Sequence, residues 1–108
     1  MTPREGVNAA VTAIEDLKGR EVRILDLRGL SEATDYFIIA SGTSDAHVRG
    51  IADSVVEKLH RQGARAHHVE GLPGGRWVLL DFADIIVHLF SPEKRAYYRL
   101  EELWGKPN

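Results

Sequence analysis

Five apolar or aromatic residues in a row, Tyr36-Phe37-Ile38-Ile39-Ala40, follow Asp35 with no polar residue between them. Successive side chains of a strand point to opposite faces of its sheet, so a strand with one wet face alternates apolar and polar residues. This run does not alternate. It predicts a central strand over 35–40, covered on both faces. Ser41-Gly42-Thr43-Ser44 then turns the chain into a helix, with Thr43 or Ser44 as cap. Val48, Ile51, Ala52, Val55, Val56 and Leu59 form an apolar stripe at helical spacing, which Gly63 can end.

The remaining elements arrange themselves around that strand and helix. Thr2-Pro3-Arg4-Glu5 reads as a helix start, with Thr as cap, Pro at the first position and Glu three residues after the cap. Val7, Ala10, Val11, Ile14 and Leu17 continue it, and Gly19 is expected to supply a left-handed stop. Strands are expected over 22–27, more weakly over 66–69, and strongly at Trp77-Val78-Leu79-Leu80 and Ile85-Ile86-Val87-His88-Leu89-Phe90. Asp81-Phe82-Ala83-Asp84 is short enough to join the last two as a hairpin. Ser91-Pro92-Glu93 starts a final helix, with Ala96, Tyr97, Leu100, Leu103 and Trp104 on one face. A long helix between strands suggests a right-handed crossover and a parallel pair, while the hairpin adds an antiparallel part. The fold class is therefore α/β, a mixed sheet of about five strands packed with helices.

The chain has 108 residues, the size of one domain, so residues 1–108 are expected to share a single core. It has no cysteine, which removes disulfide scaffolds, zinc knuckles, iron–sulfur clusters and thiol catalysis. No apolar run is long enough to span a membrane, and the N-terminus lacks the apolar centre of a signal peptide. A cytoplasmic protein is the default. Net charge is −2, with basic residues scattered and Lys94-Arg95 their only adjacent pair. Direct, sequence-specific nucleic-acid binding is disfavoured, because phosphate grips need clustered positive charge.

Catalytic signatures are missing where they were sought. His47, His60, His67, His68 and His88 include no pair at the four-residue spacing of one helix face, so no metal site is expected. Ser41-Gly42-Thr43-Ser44 could present backbone N–H groups to an anion, yet there is no Gly-rich phosphate loop of either common type. Two-metal nucleotidyl transfer wants two carboxylates on one side of a strand, and no two acidic residues here are two positions apart. Asp81 and Asp84 flank a turn, where Asp serves local hydrogen bonds. Gly42-Thr43-Ser44-Asp45-Ala46 breaks the nucleophile elbow at its last glycine. A binder is expected rather than an enzyme, with no catalytic residues and no cofactor.

The strand aromatics point to binding. Trp77, Leu79 and Asp81 share one strand face; Ile86, His88 and Phe90 share another. With helices mainly on one side of the sheet, the other side would keep an uncovered apolar and aromatic surface. Trp and Tyr are frequent anchors of protein interfaces, and a patch rimmed by acids would suit a basic protein. Trp77 could equally fill a small core.

Several segments carry a resemblance when taken in series: Asp35-Tyr36-Phe37-Ile38-Ile39-Ala40-Ser41-Gly42-Thr43-Ser44, His47-Val48, Ile51-Ala52-Asp53, Glu70-Gly71, Trp77-Val78-Leu79-Leu80-Asp81, Asp84-Ile85-Ile86-Val87-His88-Leu89-Phe90 and Tyr98-Arg99-Leu100-Glu101-Glu102-Leu103-Trp104. From about Val7 to Trp104 the chain resembles the ribosomal silencing factor family, RsfS, also called Iojap. The resemblance implies a nucleotidyltransferase-like fold without catalytic carboxylates. It implies binding to the large ribosomal subunit through its fourteenth protein, on the face that meets the small subunit. Subunit joining would be blocked and translation lowered when nutrients are scarce. Some members form homodimers when free. Organellar relatives usually carry a targeting extension that is not seen here, so a bacterial cytoplasm is expected. By similarity the contact surface is placed on Trp77, Leu79, Asp81, His88, Phe90 and Tyr98, the last from the family's aromatic near the final helix. Phe82-Ala83 stands where a glycine-containing turn is common in the family, which puts the hairpin geometry in question. The alternatives are a degenerate nucleotidyltransferase-like nucleotide-binding protein, resting on the Ser41–Ser44 turn, and an adaptor for some other protein.

Overall fold

The computed structural model describes residues 1–92. Helix α1 spans Pro3–Asp16 and is followed by strands β1, Arg20–Asp26, and β2, Tyr36–Ser41. Helix α2, Asp45–Arg61, leads to β3, His68–Glu70, then β4, Trp77–Asp81, and β5, Ile85–Phe90. The expected helix after Ser91, with Tyr97, Tyr98 and Trp104, lies outside the described residues.

Local chemistry sets the helix ends. The Thr2 hydroxyl accepts from Glu5 N–H at 3.2 Å, and the Glu5 carboxylate accepts from Thr2 N–H at 2.8 Å, closing a capping box. Ser44, rather than Thr43, caps α2, its hydroxyl accepting from His47 N–H at 3.0 Å. The expected left-handed stop at Gly19 falls instead on Lys18, with φ of 61°. Gly19 is small for another reason: a Cβ there would lie 2.3 Å from the Ile14 side chain. Gly63 does take positive φ, 91°, just beyond α2.

The five strands form one mixed sheet in the order β1-β2-β5-β4-β3. The expected parallel pair exists, but its members are β2 and β5. Helix α2 carries the chain past both central positions to β3 at the far edge. Two antiparallel pairings, β3–β4 and β4–β5, then bring it back beside β2. A helix-linked strand need not neighbour the strand it left, because partner choice is settled by long-range packing. The weak strand expected over 66–69 is shorter and shifted, His68–Glu70, although His67 N–H still reaches the Asp81 carbonyl at 2.7 Å.

Both described helices cover the same face of the sheet. Val7, Ala10 and Ile14 of α1 and Val48, Ile51, Val55 and Leu59 of α2 pack with Ile38, Ala40, Val78, Leu80, Val87 and Leu89. A smaller cluster of Leu25, Leu27, Ile39 and Phe90, with Phe37 and Trp77 against it, occupies the opposite face. β2 and β5 contribute to both clusters, as the unbroken apolar runs require.

Candidate protein-binding face

The hairpin register gathers the expected residues. Trp77 pairs with Phe90, Leu79 with His88 and Asp81 with Ile86. On the other side of β5, Phe37, Ile39 and Ser41 of β2 lie level with Ile86, His88 and Phe90. Cross-strand partners share a face, so these residues form one surface opposite α1 and α2. Glu70 and His68 of β3 extend it past Leu79 and Asp81, and they pair with each other at 2.8 Å. Tyr98 lies outside the described residues.

A glycine loop places Trp77. Gly71 has φ of 77°, and a Cβ on it would sit 2.0 Å from the Trp77 carbonyl oxygen. Gly75, φ 74°, approaches the start of α2 so closely that a Cβ would meet the Asp45 carbonyl at 2.4 Å. Arg49 donates to the Pro73 and Gly74 carbonyls at 3.4 Å. At the strand's entrance, Ser91 N–H donates to the Arg76 carbonyl at 2.9 Å.

Around His88 the rings interlock. Trp77 Nε1–H donates to His88 Nδ1 at 3.2 Å. Phe37 meets the imidazole edge-on with centroids 4.8 Å apart, and Trp77 stacks on Phe90 at 5.3 Å. Burial pushes the His88 pKa down to about 4. The open aromatic surface expected from the strands is narrower than anticipated: Phe90 is 0% exposed and His88 5%. Trp77, Leu79 and Asp81 remain half-buried. Among the described residues, rings on adjacent strands partly cover one another. Asp81 also serves its turn, Oδ1 accepting from Ala83 N–H at 2.8 Å. Ala83 occupies the left-handed region with φ of 72°, the conformation a glycine would adopt freely.

The turn behind the nucleotide-binding alternative is closed by its own side chains. Thr43 N–H donates to His47 Nδ1 at 2.8 Å, and the other nitrogen of that ring meets the Leu17 carbonyl at 2.6 Å. Gly42 N–H donates to the Phe90 carbonyl, and a Cβ at Gly42 would lie 2.8 Å from the Val48 side chain. The Gly therefore serves strand–helix packing. Among the described residues no three His, Asp or Glu side chains come together as a metal site, and no helix is long and apolar enough to cross a membrane.

Sequence reasoning missed two features. One is the Trp77–His88 bond, a diagonal cross-strand contact that the even spacing of the hairpin could have revealed. The other is an apolar groove of about 360 Å³ on the helical side, lined by Ala52, Val56, Val69, Leu72 and Leu80 with Asp53, Glu57 and His60. No local pattern announces it, since β3 and α2 meet only through the sheet order.

Comparison with known proteins bears on the family of the chain. The family model described as "Ribosomal silencing factor during starvation" matches residues 1–108. A protein of Halalkalibacterium halodurans named ribosomal silencing factor RsfS is 39% identical over 105 residues, covering 97% of this chain and 90% of that protein. The protein of that name from Bacillus subtilis is 36% identical, covering 97% and 89%. A crystal structure of a Chromobacterium violaceum protein superposes with a TM-score of 0.95 at 38% identity, covering all of this chain and 92% of that one.

Proposed function

This chain belongs to the ribosomal silencing factor family, and from that premise we propose that it binds the large ribosomal subunit through its fourteenth protein and so obstructs joining of the small subunit. The observation that carries the reading is the family match over the whole of residues 1–108. It acts as one unit, in the bacterial cytoplasm, on a nucleotidyltransferase-like scaffold that transforms no substrate.

The geometry supports this reading in two ways. Helices α1 and α2 occupy one side of the sheet, leaving the Trp77, Leu79 and Asp81 row as a half-exposed apolar strip with an acidic end. Such a strip suits a folded protein partner with positive charge at its edge. Adhesion and bulk then suffice, without chemistry. The nucleotide-binding alternative draws no support from a turn whose Thr43 N–H is already engaged by His47.

Co-sedimentation with isolated large subunits tests the contact. Wild-type protein should travel with the subunits. Trp77→Ala should bind about 30-fold more weakly, the loss of about 2 kcal/mol typical of an interface anchor. Unchanged co-sedimentation of the variant removes Trp77 from the interface, and absence of wild-type binding removes the reading.

A further inference from the structure

His88 Nε2 is buried and forms no hydrogen bond among the described residues. The identity of the orphaned group follows from its neighbour. An indole N–H can only donate, so the Trp77 bond at 3.2 Å makes His88 Nδ1 the acceptor. Burial holds the ring neutral, with its pKa pushed down to about 4. A neutral imidazole carries one proton, and with Nδ1 accepting, that proton is on Nε2. Among the described residues the fold thus encloses an N–H donor with no acceptor.

That arrangement disfavours the free protein, because a buried donor deprived of its partner loses its hydration without return. The Trp77 bond accounts for Nδ1, but nothing among the described residues accepts from Nε2–H. Phe37 and Phe90 contact the ring as aromatics would contact any aromatic, at 4.8 and 6.2 Å between centroids. The donor also lies beneath the half-exposed strip of Trp77 and Leu79, and not within the helix-covered core.

We propose that His88 Nε2–H is reserved for an acceptor oxygen brought by the docked protein, and that Trp77 is the positioning residue that fixes the ring's tautomer for it. The inference rests on the reading of this face as the docking surface. Nε2 is enclosed in the free chain, so docking shifts the side chains over it and lets a main-chain carbonyl, amide or carboxylate oxygen reach the ring. The complex satisfies a group that the free protein leaves unsatisfied.

Three proteins test it: wild type, His88→Leu and His88→Gln, each measured for binding to isolated large subunits and for thermal unfolding alone. Leucine removes both the Nε2–H donor and the acceptor of the Trp77 indole N–H; glutamine returns an amide N–H near the position of Nε2 and a carbonyl oxygen near that of Nδ1. In the free protein the lost Trp77 hydrogen bond is offset by removal of the unsatisfied Nε2–H, so the expected His88→Leu protein unfolds within a few degrees of wild type yet binds roughly tenfold more weakly. His88→Gln should bind within about threefold of wild type. Nitrogen–proton correlations of the free wild-type ring should show the Nε2–H tautomer, and a proton on Nδ1 overturns the proposal without any substitution. A His88→Leu protein that binds as tightly as wild type overturns it, as does one whose weaker binding is matched by a fall in unfolding temperature. Wild type binding with unaffected His88→Leu strikes this inference alone, whereas wild type that binds no large subunits strikes the silencing reading and this proposal together.

Discussion

His88 makes the stability of the fold depend on pH in a window that carboxylates do not reach. Above pH 6.5 its ring is neutral in both folded and unfolded chains. Between 6.5 and about 4 the unfolded chain takes up a proton that the buried ring refuses, so stability falls as pH falls. Below about 4 both states are protonated and the loss is complete, about 3 kcal/mol in full. Asp26 acts in a lower window: hydrogen bonds from Arg28 hold its pKa at about 2, so its contribution disappears from 3.8 downward. Urea unfolding from pH 7 to 4 should show wild-type stability decreasing and His88→Leu stability nearly level. Parallel curves for the two proteins would contradict the burial argument. The shared faces of Trp77, Leu79, Asp81, His88 and Phe90 were legible from strand alternation alone. The burial of His88 and Phe90 was not, because it depends on which rings the register sets side by side.

The β4–β5 hairpin and the glycine loop before it show how elements aim the site. Ala83, at φ of 72°, carries a left-handed strain that glycine would not. Ala83→Gly should therefore stabilise the protein by about 1 kcal/mol in equilibrium unfolding, less the entropy glycine adds to the unfolded chain. A destabilised variant would mean that the turn does not hold this conformation. Gly71→Ala should destabilise by roughly 2 kcal/mol or more, since its Cβ would collide with the Trp77 backbone and not with a yielding side chain. It should also weaken large-subunit binding beyond any loss of folded protein, measured at a temperature where the variant is fully folded. The described elements were legible because period and caps are local signals: Thr2 with Glu5, the stripe from Val48 to Leu59, the unbroken run at Tyr36. Strand order was not. The chain says that β2 is buried on both faces, but only packing puts β5 beside it and sends β3 to the edge. Lys18 illustrates the same limit at a helix end: it takes the left-handed position expected of Gly19, while Gly19 leaves room for Ile14.

The body measures 36 × 34 × 21 Å and is flattened, with the two described helices on one broad side. A body of that size, held by one face, obstructs any close contact that must form over the same surface. The account needs neither turnover nor a cofactor, and it makes the effect stoichiometric: obstruction should saturate at one protein per large subunit. Its central claim is met most directly by mixing purified large and small subunits with rising amounts of the protein and resolving them by density-gradient sedimentation. The expected result is a dose-dependent fall in joined ribosomes that levels off at equimolar wild-type protein, with the Trp77→Ala protein weaker at every dose below saturation. Joined ribosomes at undiminished yield under saturating wild-type protein would contradict it.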